Sequence, residues 1–382
     1  MPVGVVAPPD LGPATATRLT TGEVAGCVEV DYPAGPCSVM EVTRDHAERV
    51  DRLFTEAAEL GRFGGTVAVS VRGQRSLSKA YGAADALGRV RFDVRTAGQI
   101  ASVSKQFTAA AVLLLAESGT LSTDDPLSRW VRPAPVHWEE IRLHHLLSHT
   151  SGLPHWRDLP DLDLFGPVLD DEIVAAFASR PLKFSPGTGW AYSSPGYHLL
   201  ALAVEAASGR PYAELVRQRI LSPLGLRHTY VGNRLPEGIP RAQGLGESGP
   251  VPSFDLDSTG KGAGDVWSTA EDLLRWDDAL SAPGTLLSAA SLGASFRPHG
   301  RIPRDDIAAA RGLEDAAYGY GWYLATVRGA ALRFHSGDNP GFRALNVWVP
   351  GLELQFALTS NTERTDTLSL GLGLLGCAVS DP

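Results

Sequence analysis

Residues 99–118, QIASVSKQFTAAAVLLLAES, combine a Ser-x-x-Lys pair with a long apolar run. The run from Phe107 to Ala116 predicts a buried helix. Residues three apart on a helix share a face, so the Lys105 amine is expected beside the Ser102 hydroxyl. Unpaired N–H groups and the dipole at a helix N-terminus also favour the negative charge of a hydroxyl that loses its proton. Because serine needs a neighbouring base to act as a nucleophile, the stretch predicts the catalytic element of a serine acyl-transfer enzyme.

The same spacing occurs twice elsewhere, and neither occurrence predicts a site. Ser76 and Lys79 lie in RSLSKAYG, which alternates like a strand, where residues three apart point to opposite faces. Ser258 and Lys261 lie in DSTGKGAGD, a glycine-rich loop without a helix to orient them. The chain has only four lysines and otherwise uses arginine, which stays protonated in proteins. A buried lysine can lose its proton, so Lys105 is the informative one.

The composition is that of an acidic globular protein. The chain has 382 residues, of which 43% are hydrophobic and 20% charged, and its net charge is −9. It has no block of lysine and arginine, so neither nucleic acid nor an anionic membrane is expected as a partner. The longest apolar runs are too short to span a bilayer. The N-terminal MPVGVVAPPDLGP lacks the features of a signal peptide, so a cytoplasmic protein is expected.

No metal or other cofactor is expected. Cys27, Cys37 and Cys377 form an odd, sparse set without zinc-ligand spacing, although Cys27 and Cys37 could pair in an exported protein. His145 and His149 have the i,i+4 spacing of metal ligands. No third ligand is placed beside them, so helix-capping or loop-bracing roles are favoured.

Strand-like segments lie towards both ends of the chain, with helical segments between them. Residues 1–43 predict an extension of unknown role, with short strands at 23–31 and 38–42. The later predicted strands are at 66–73, 75–82, near 89–94, 317–324, 331–337, 344–350 and 352–361. The predicted helices are at 45–60 with Thr43 as N-cap, within 141–155, at 170–179, at 197–207, at 268–280 with a Ser268/Glu271 capping box, and at 365–379.

This order predicts an α+β fold, in which an antiparallel sheet made from both chain ends is flanked by helices. A mainly helical region, roughly 119–262, is inserted between the strands. Residues 44–382 would then form one catalytic domain.

The segment 184–209, FSPGTGWAYSSPGYHLLALAVEAASG, is the next informative one. Tyr192, Ser193 and Ser194 precede its apolar helix. A tyrosine in this place either packs against the helix or shuttles a proton beside a lysine, and the residues alone leave both interpretations open.

Five segments together resemble the serine β-lactamase-related family, the group of class C β-lactamases, penicillin-binding proteins, esterases, D-amino-acid peptidases and some acyltransferases. They are ASVSKQFTAA, HLLSHTSGLPH, FSPGTGWAYSSPGYHLLALAVEAASGRPY, GAGDVWSTAEDLLRW and FHSGDNPGF, and they occur in the family's order. The resemblance covers roughly residues 45–380. It implies the β-lactamase/transpeptidase-like form of the α+β fold.

The resemblance also implies roles for individual residues. Ser102 is the nucleophile, Lys105 its proton acceptor, and Tyr192 a second base that later donates to the leaving group. His335 takes the place of the family's Lys or His beside the cleft, followed at two residues by Gly337. The backbone N–H groups of Ser102 and Asp338 would form the oxyanion hole.

Two departures from the family pattern shift the expected substrate. Ser194 stands where the family usually has Asn, and its shorter hydroxyl reaches less far towards a β-lactam or acylated peptide. The Asp338 carboxylate would repel an anionic substrate nearby.

Hydrolysis of an ester or amide, including D-amino-acid-containing peptides, is therefore favoured over β-lactam hydrolysis. Acyl transfer, as in natural-product biosynthesis, is the alternative, and a non-catalytic binding protein is the third hypothesis. No Gly-x-Ser-x-Gly elbow supports an α/β-hydrolase. The expected partner is a small-molecule or peptide substrate, and the sequence gives no oligomeric state.

Overall fold

The structure is a computed structural model that describes residues 41–42, 44–303 and 313–380. The strand predicted at 23–31, the Thr43 cap, and the Cys27 and Cys37 thiols all lie outside these ranges. Of the strand predicted at 38–42, the described part is residues 41–42.

The helices predicted at 45–60, 170–179, 197–207 and 365–379 are confirmed, with shifts of a few residues at their ends. The described α-helices are α1 (His46–Glu59), α2 (Lys105–Glu117), α3 (Leu143–Leu147), α4 (Asp170–Ala178), α5 (Ser194–Ser208), α6 (Tyr212–Val216), α7 (Ala270–Ser281), α8 (Ala289–Ser295) and α9 (Thr367–Ala378). Short 3₁₀ turns lie at Ala101–Ser104, Leu127–Arg129, Val136–Trp138, Trp156–Asp158 and Pro350–Leu352, and a π-helical turn at Arg217–Leu221.

The strands concentrate towards the two ends of the described chain. They are β1 (Glu41–Val42), β2 (Gly65–Val71), β3 (Gln74–Tyr81), β4 (Gly98–Gln99), β5 (Tyr230–Val231), β6 (Leu245–Gly246), β7 (Gly249–Pro250), β8 (Val266–Ser268), β9 (Gly300–Arg301), β10 (Glu314–Tyr318), β11 (Tyr323–Val327), β12 (Ala330–Asn339), β13 (Phe342–Val349), β14 (Leu354–Ser360) and β15 (Val379–Ser380).

Eight of these strands form the main sheet, in the order β3-β2-β14-β13-β12-β11-β10-β9, and every neighbouring pair is antiparallel. The β2–β14 pair joins the two chain ends, with Val71 opposite Leu354 and Gly65 opposite Ser360. The predicted antiparallel sheet from both chain ends is therefore confirmed. Strands β4, β8 and β5 form a separate three-stranded sheet.

The two faces of the main sheet bury different residues, because side chains alternate along a strand. Val67 and Phe356 belong to the apolar cluster that includes α1 and α9. Ala68 and Ala357 belong to the cluster around α2 and α5. Both faces are therefore covered by helices, which explains why β2 and β14 are apolar without strict alternation.

Helix α2 lies in the middle of the second cluster. It is buried from Lys105 to Leu115, as expected for a helix that is apolar on all sides. Phe107 stacks on Trp276 of α7 with ring centroids 4.4 Å apart. The described elements between residues 119 and 262 are helices, short turns and two-residue strands. This packing holds the start of α2 rigidly between the sheet and the helices.

The strand predicted at 317–324 is wrong, because the chain turns back in the middle of it. Strand β10 ends at Tyr318 and β11 begins at Tyr323, and the Gly319 N–H donates to the Trp322 carbonyl at 2.8 Å. Gly321 adopts φ +79°, a left-handed conformation that favours glycine. The aromatic residues of AYGYGWYL alternate as they would in one continuous strand, so the sequence pattern did not indicate this turn.

Four other predicted boundaries also differ. Asp45, without a side-chain cap bond, precedes α1. Thr269 rather than Ser268 caps α7, since its side chain accepts from the Asp272 N–H at 3.2 Å. Residues 89–94 contribute only a single bridge between Arg91 and Ala83, and the helix within 141–155 is limited to α3. The local helix or strand propensity of a segment does not determine its ends to within one residue.

No helix within the described ranges is long and apolar enough to cross a membrane.

Candidate active site

Ser102 lies on a strained turn that precedes α2. It belongs to the 3₁₀ turn Ala101–Ser104, and α2 proper begins at Lys105, so the prediction that Ser102 starts the α-helix itself is corrected. Ala101 adopts φ +48°, a conformation that costs free energy in a non-glycine residue. The turn is held against β8, because the Ile100 N–H donates to the Val266 carbonyl at 2.9 Å.

Lys105 contacts three oxygen atoms through its buried amine. Its Nζ lies 3.1 Å from Ser102 Oγ, 3.2 Å from Ser194 Oγ and 2.7 Å from the Ala263 carbonyl oxygen. A neutral amine has two N–H donors and one lone pair. It can therefore donate to Ser194 and Ala263 while its lone pair accepts the Ser102 proton.

Burial determines the charge of this amine. Desolvation lowers the pKa of Lys105 to about 7, and the charge of Asp265 partly opposes this shift. A substantial fraction of Lys105 is therefore neutral at pH 7, which is the state that a proton acceptor needs.

Tyr192 completes the group around Ser102 Oγ. Its ring centroid is 5.0 Å from Lys105 Nζ. Burial raises the pKa of the Tyr192 phenol, and hydrogen bonds with the Ser102 and Ser194 hydroxyls oppose that rise. The phenol therefore keeps its proton at neutral pH, so this pair offers a lysine that can accept a proton and a tyrosine that can donate one.

His335 lies next to the group and is electrically neutral. Its Nδ1 is 2.7 Å from the Ser336 carbonyl oxygen, which can only accept, so Nδ1 carries the proton. Its Nε2 then accepts from the Tyr318 hydroxyl at 2.8 Å. Burial lowers the pKa of His335 to about 3. Tyr318 was missed in the sequence because its segment reads as an ordinary strand.

The strand register directs the Asp338 backbone towards the turn that carries Ser102. Strand β12 pairs with β13 as far as Asn339 opposite Phe342, but with β11 only as far as Phe334. The two-residue turn makes Asn339 a hydrogen-bonded pair with Phe342, so Asp338, one residue away, is in a non-hydrogen-bonded pair with Arg343. Its N–H consequently points to the edge that β11 leaves free. The Asp338 carboxylate is paired with Arg343 Nη1 at 2.7 Å.

Gly337 allows this edge to approach the turn. A Cβ at residue 337 would lie 2.1 Å from the Ile100 carbonyl oxygen and 3.1 Å from Ala101 Cβ. Only glycine fits such a close approach of two backbones.

Gly337→Ala is therefore expected to destabilise the fold by about 1–3 kcal/mol, because the strand and the turn must separate. Thermal melting measures the loss. Gly376→Ala in α9 is the control: its Cβ meets nothing within 4 Å, and alanine should stabilise the helix by about 0.5–1 kcal/mol. An unchanged melting temperature for Gly337→Ala would contradict the close approach.

Asp265 is a buried carboxyl behind Lys105 that the sequence did not single out. Its Oδ2 accepts from the Gly262 N–H at 2.8 Å, and burial raises the pKa of Asp265 to about 7. The glycine-rich loop that it organises also carries the Ala263 carbonyl bound to Lys105.

The rate of Ser102 acylation is expected to rise with pH through about 7 and then level off, because Lys105 must be neutral. Asp265→Asn removes the negative charge that raises the pKa of Lys105, so the rising limb should move to lower pH. The rate constant for labelling by a fluorophosphonate, measured from pH 5 to 9, tests both statements. A limb that stays in place or moves to higher pH would contradict the electrostatic role of Asp265.

The two histidines considered as metal ligands brace backbone instead. His145 Nδ1 accepts from the Arg142 N–H at 3.1 Å, and His149 Nδ1 accepts from the Ser193 N–H at 3.2 Å. The described residues contain no group of three His, Cys, Asp or Glu side chains that could hold a metal ion. The bracing role is thus the one that these contacts support.

Comparison with known proteins identifies the class. A beta-lactamase family model matches residues 50–371. Penicillin-binding protein 4* of Bacillus subtilis is 31% identical over 341 residues, which cover 84% of this chain and 73% of that protein. Esterase EstB of Burkholderia gladioli is 30% identical over 355 residues, which cover 75% of this chain and 89% of that protein. The crystal structure of a penicillin-binding protein from Bacillus halodurans has a TM-score of 0.72 at 25% identity, over 85% of this chain and 98% of that chain.

The fold and these relatives define an enzyme of the serine-hydrolase type. The chain belongs to the beta-lactamase family, and the predicted β-lactamase/transpeptidase-like fold is confirmed.

Proposed function

We propose that this protein hydrolyses an ester or amide with an uncharged acyl group, through an acyl-Ser102 intermediate. The observation that carries the proposal is the buried Lys105 amine, 3.1 Å from Ser102 Oγ, with a pKa lowered to about 7. A base with a pKa near the working pH is the most effective proton acceptor.

In the proposed acylation, Ser102 Oγ forms a bond to the substrate carbonyl carbon and its proton passes to Lys105. The N–H groups of Ser102 and Asp338 stabilise the oxyanion. Tyr192 donates its proton to the leaving group as the carbonyl–leaving-group bond breaks, and it recovers a proton from Lys105. Water then attacks the acyl-Ser102 ester, and its proton passes to Tyr192 as Tyr192 gives its own proton to neutral Lys105. The bond between Ser102 Oγ and the acyl carbon breaks, and Lys105 returns the proton to Oγ.

The electrostatics of the site support an uncharged acyl group. His335 stands where a family lysine would supply a positive charge, but both of its ring nitrogens are engaged and its pKa is lowered to about 3. The Asp338 carboxylate, three residues further on, has its side chain 75% exposed. A substrate carboxylate would therefore find no positive charge at the position of the family lysine, and the Asp338 carboxylate, which is paired with Arg343, lies exposed nearby.

Intact-protein mass spectrometry after treatment with a fluorophosphonate tests the nucleophile. A single adduct on the wild type, absent from Ser102→Ala, is the expected result. Absence of an adduct on folded wild-type protein would overturn the enzymatic proposal in favour of a binding protein.

A pair of 4-nitrophenyl esters tests the substrate class. Butyrate is expected to be cleaved at least about tenfold faster than hemisuccinate, which differs mainly by a terminal carboxylate. Equal rates would contradict the preference for an uncharged acyl group. Product analysis with an added amine or alcohol distinguishes hydrolysis from the alternative, acyl transfer, because both pass through acyl-Ser102.

A further inference from the structure

The Ser194 hydroxyl has three hydrogen-bond partners close to Ser102. Ser194 is also the position at which the chain departs from the family pattern. Its Oγ accepts from Lys105 Nζ at 3.2 Å and lies 3.4 Å from His155 Nε2. It also hydrogen-bonds with the Tyr192 phenol. A serine hydroxyl has one proton to donate and two lone pairs that accept.

The tautomer of His155 decides which of these bonds the Ser194 proton makes. His155 Nδ1 accepts from the Arg157 N–H at 3.5 Å, so Nε2 carries the ring proton. Nε2 then donates to Ser194 Oγ, and Lys105 donates to the second lone pair of the same oxygen. Of these three hydrogen-bond partners of Ser194, Tyr192 is therefore the one that accepts the Ser194 proton.

The His155 ring is held in place for this contact. It stacks on the Tyr192 ring with centroids 5.9 Å apart and an angle of 29° between the planes. His155 precedes the 3₁₀ turn Trp156–Asp158 and its backbone N–H donates to Asp158 Oδ2 at 2.8 Å. The ring is therefore held both by the Trp156–Asp158 turn and by its stacking on the Tyr192 ring.

We propose that His155 is a positioning residue that acts through Ser194, by orienting the Ser194 proton towards Tyr192 so that the Tyr192 proton is aimed at the leaving group. This inference rests on the proposed function, since it concerns the donor step of acylation. In the step, the Tyr192 proton moves to the leaving group. Ser194 and His155 keep their own protons and hold the phenol oxygen in line.

The charged groups around His155 keep it neutral during this step. Burial and the charges of Lys105, Arg157 and Lys183 lower the pKa of His155 to about 3, while Asp158 acts in the opposite sense. Its Nε2 proton is therefore available as a donor throughout the neutral pH range.

His155→Asn separates this role from the structure of the turn, because asparagine can still cap the Trp156–Asp158 turn but lacks the Nε2 donor. The readout is kcat/KM for an ethyl ester and a 4-nitrophenyl ester of the same acid, since this ratio reports the acylation step. A poor leaving group needs a proton and a good one does not. We expect a loss of about tenfold on the ethyl ester and less than about twofold on the 4-nitrophenyl ester.

Two further variants make the test specific. Ser194→Asn supplies an amide N–H of its own to Tyr192, so adding His155→Asn to it should change the ethyl-ester rate by less than about twofold. His137→Asn, at an exposed histidine in the 3₁₀ turn Val136–Trp138, is the matched control and should leave both rates unchanged.

Equal losses on both esters, or no loss on either, would overturn the role of His155. An equally large loss of the ethyl-ester rate on adding His155→Asn to Ser194→Asn would also overturn the role of His155. Wild-type protein that neither takes a fluorophosphonate nor cleaves either ester would instead overturn the proposed function, so the two failures are distinguishable.

Discussion

Ser102→Ala is expected to abolish covalent labelling and to lower kcat by roughly 10⁴- to 10⁶-fold. The loss is large because the proposed acyl-enzyme cannot form without the Oγ atom. The fold should persist with a change in stability below about 1 kcal/mol, since Lys105 keeps its contacts with Ser194 and Ala263. Steady-state kinetics, labelling and thermal melting on the same preparation measure these effects.

Ser76→Ala is the matched control for this variant. Ser76 heads another Ser-x-x-Lys segment, but it lies in β3, where its hydroxyl donates to the Val69 carbonyl at 3.3 Å. The Ser76→Ala protein should be labelled by the fluorophosphonate to the same extent as the wild type and should have the same kcat. A Ser102→Ala protein that retains more than about 1% of wild-type kcat would assign the nucleophile elsewhere.

Lys105→Met is expected to lower kcat/KM by about 10²- to 10⁴-fold, the usual contribution of a general base. Methionine approximates the length of the side chain but cannot accept the Ser102 proton. The variant should be at least as stable as the wild type at pH 7, because a fully buried amine near its pKa carries a desolvation cost that a thioether does not. Kinetics and chemical denaturation at pH 7 measure the two effects.

The stability gain is expected to depend on pH in a defined direction. Because folding lowers the pKa of Lys105 from 10.5 to about 7, the folded wild type binds fewer protons than the unfolded chain between these values, so this contribution destabilises it progressively as pH falls from about 10 to about 7 and levels off below that. The advantage of Lys105→Met should therefore increase as pH falls from about 9 to about 7 and change little below that. Lys79→Arg, at a half-exposed lysine paired with Asp51 at 2.6 Å, should change neither activity nor this pH dependence. An advantage that decreases over that range would contradict the lowered pKa.

The elements with a strong periodic pattern could be predicted from the sequence. The apolar run of α2, the stripe of α1 and the strands β2 and β3 all lie close to their predicted places. Their signals are local, since they depend on which side of one helix or strand is buried. The ends of these elements were less accurate, as the one-residue error at Thr269 illustrates.

The strand predicted through 317–324 failed for a tertiary reason. Tyr318 and Tyr323 belong to two strands joined by a turn, and Tyr318 contacts the buried His335. Sequence alternation alone did not show that Gly319 and Gly321 lie in that turn. Burial keeps His335 neutral, and the Tyr318 hydroxyl occupies its Nε2.

The sequence by itself determined which residues could do the chemistry: the i,i+3 spacing of Ser102 and Lys105, the tyrosine before a second apolar helix, and strands at both chain ends. The tertiary structure alone decided the protonation states and the hydrogen-bond partners of these residues. It buried Lys105 against the Ala263 carbonyl, placed Asp265 behind it, and linked His155 to Ser194, 39 residues away in the chain. The physical reason is that spacing within one element sets which side chains share a face. A pKa or a hydrogen-bond direction depends on the solvent that is excluded and on partners from distant elements.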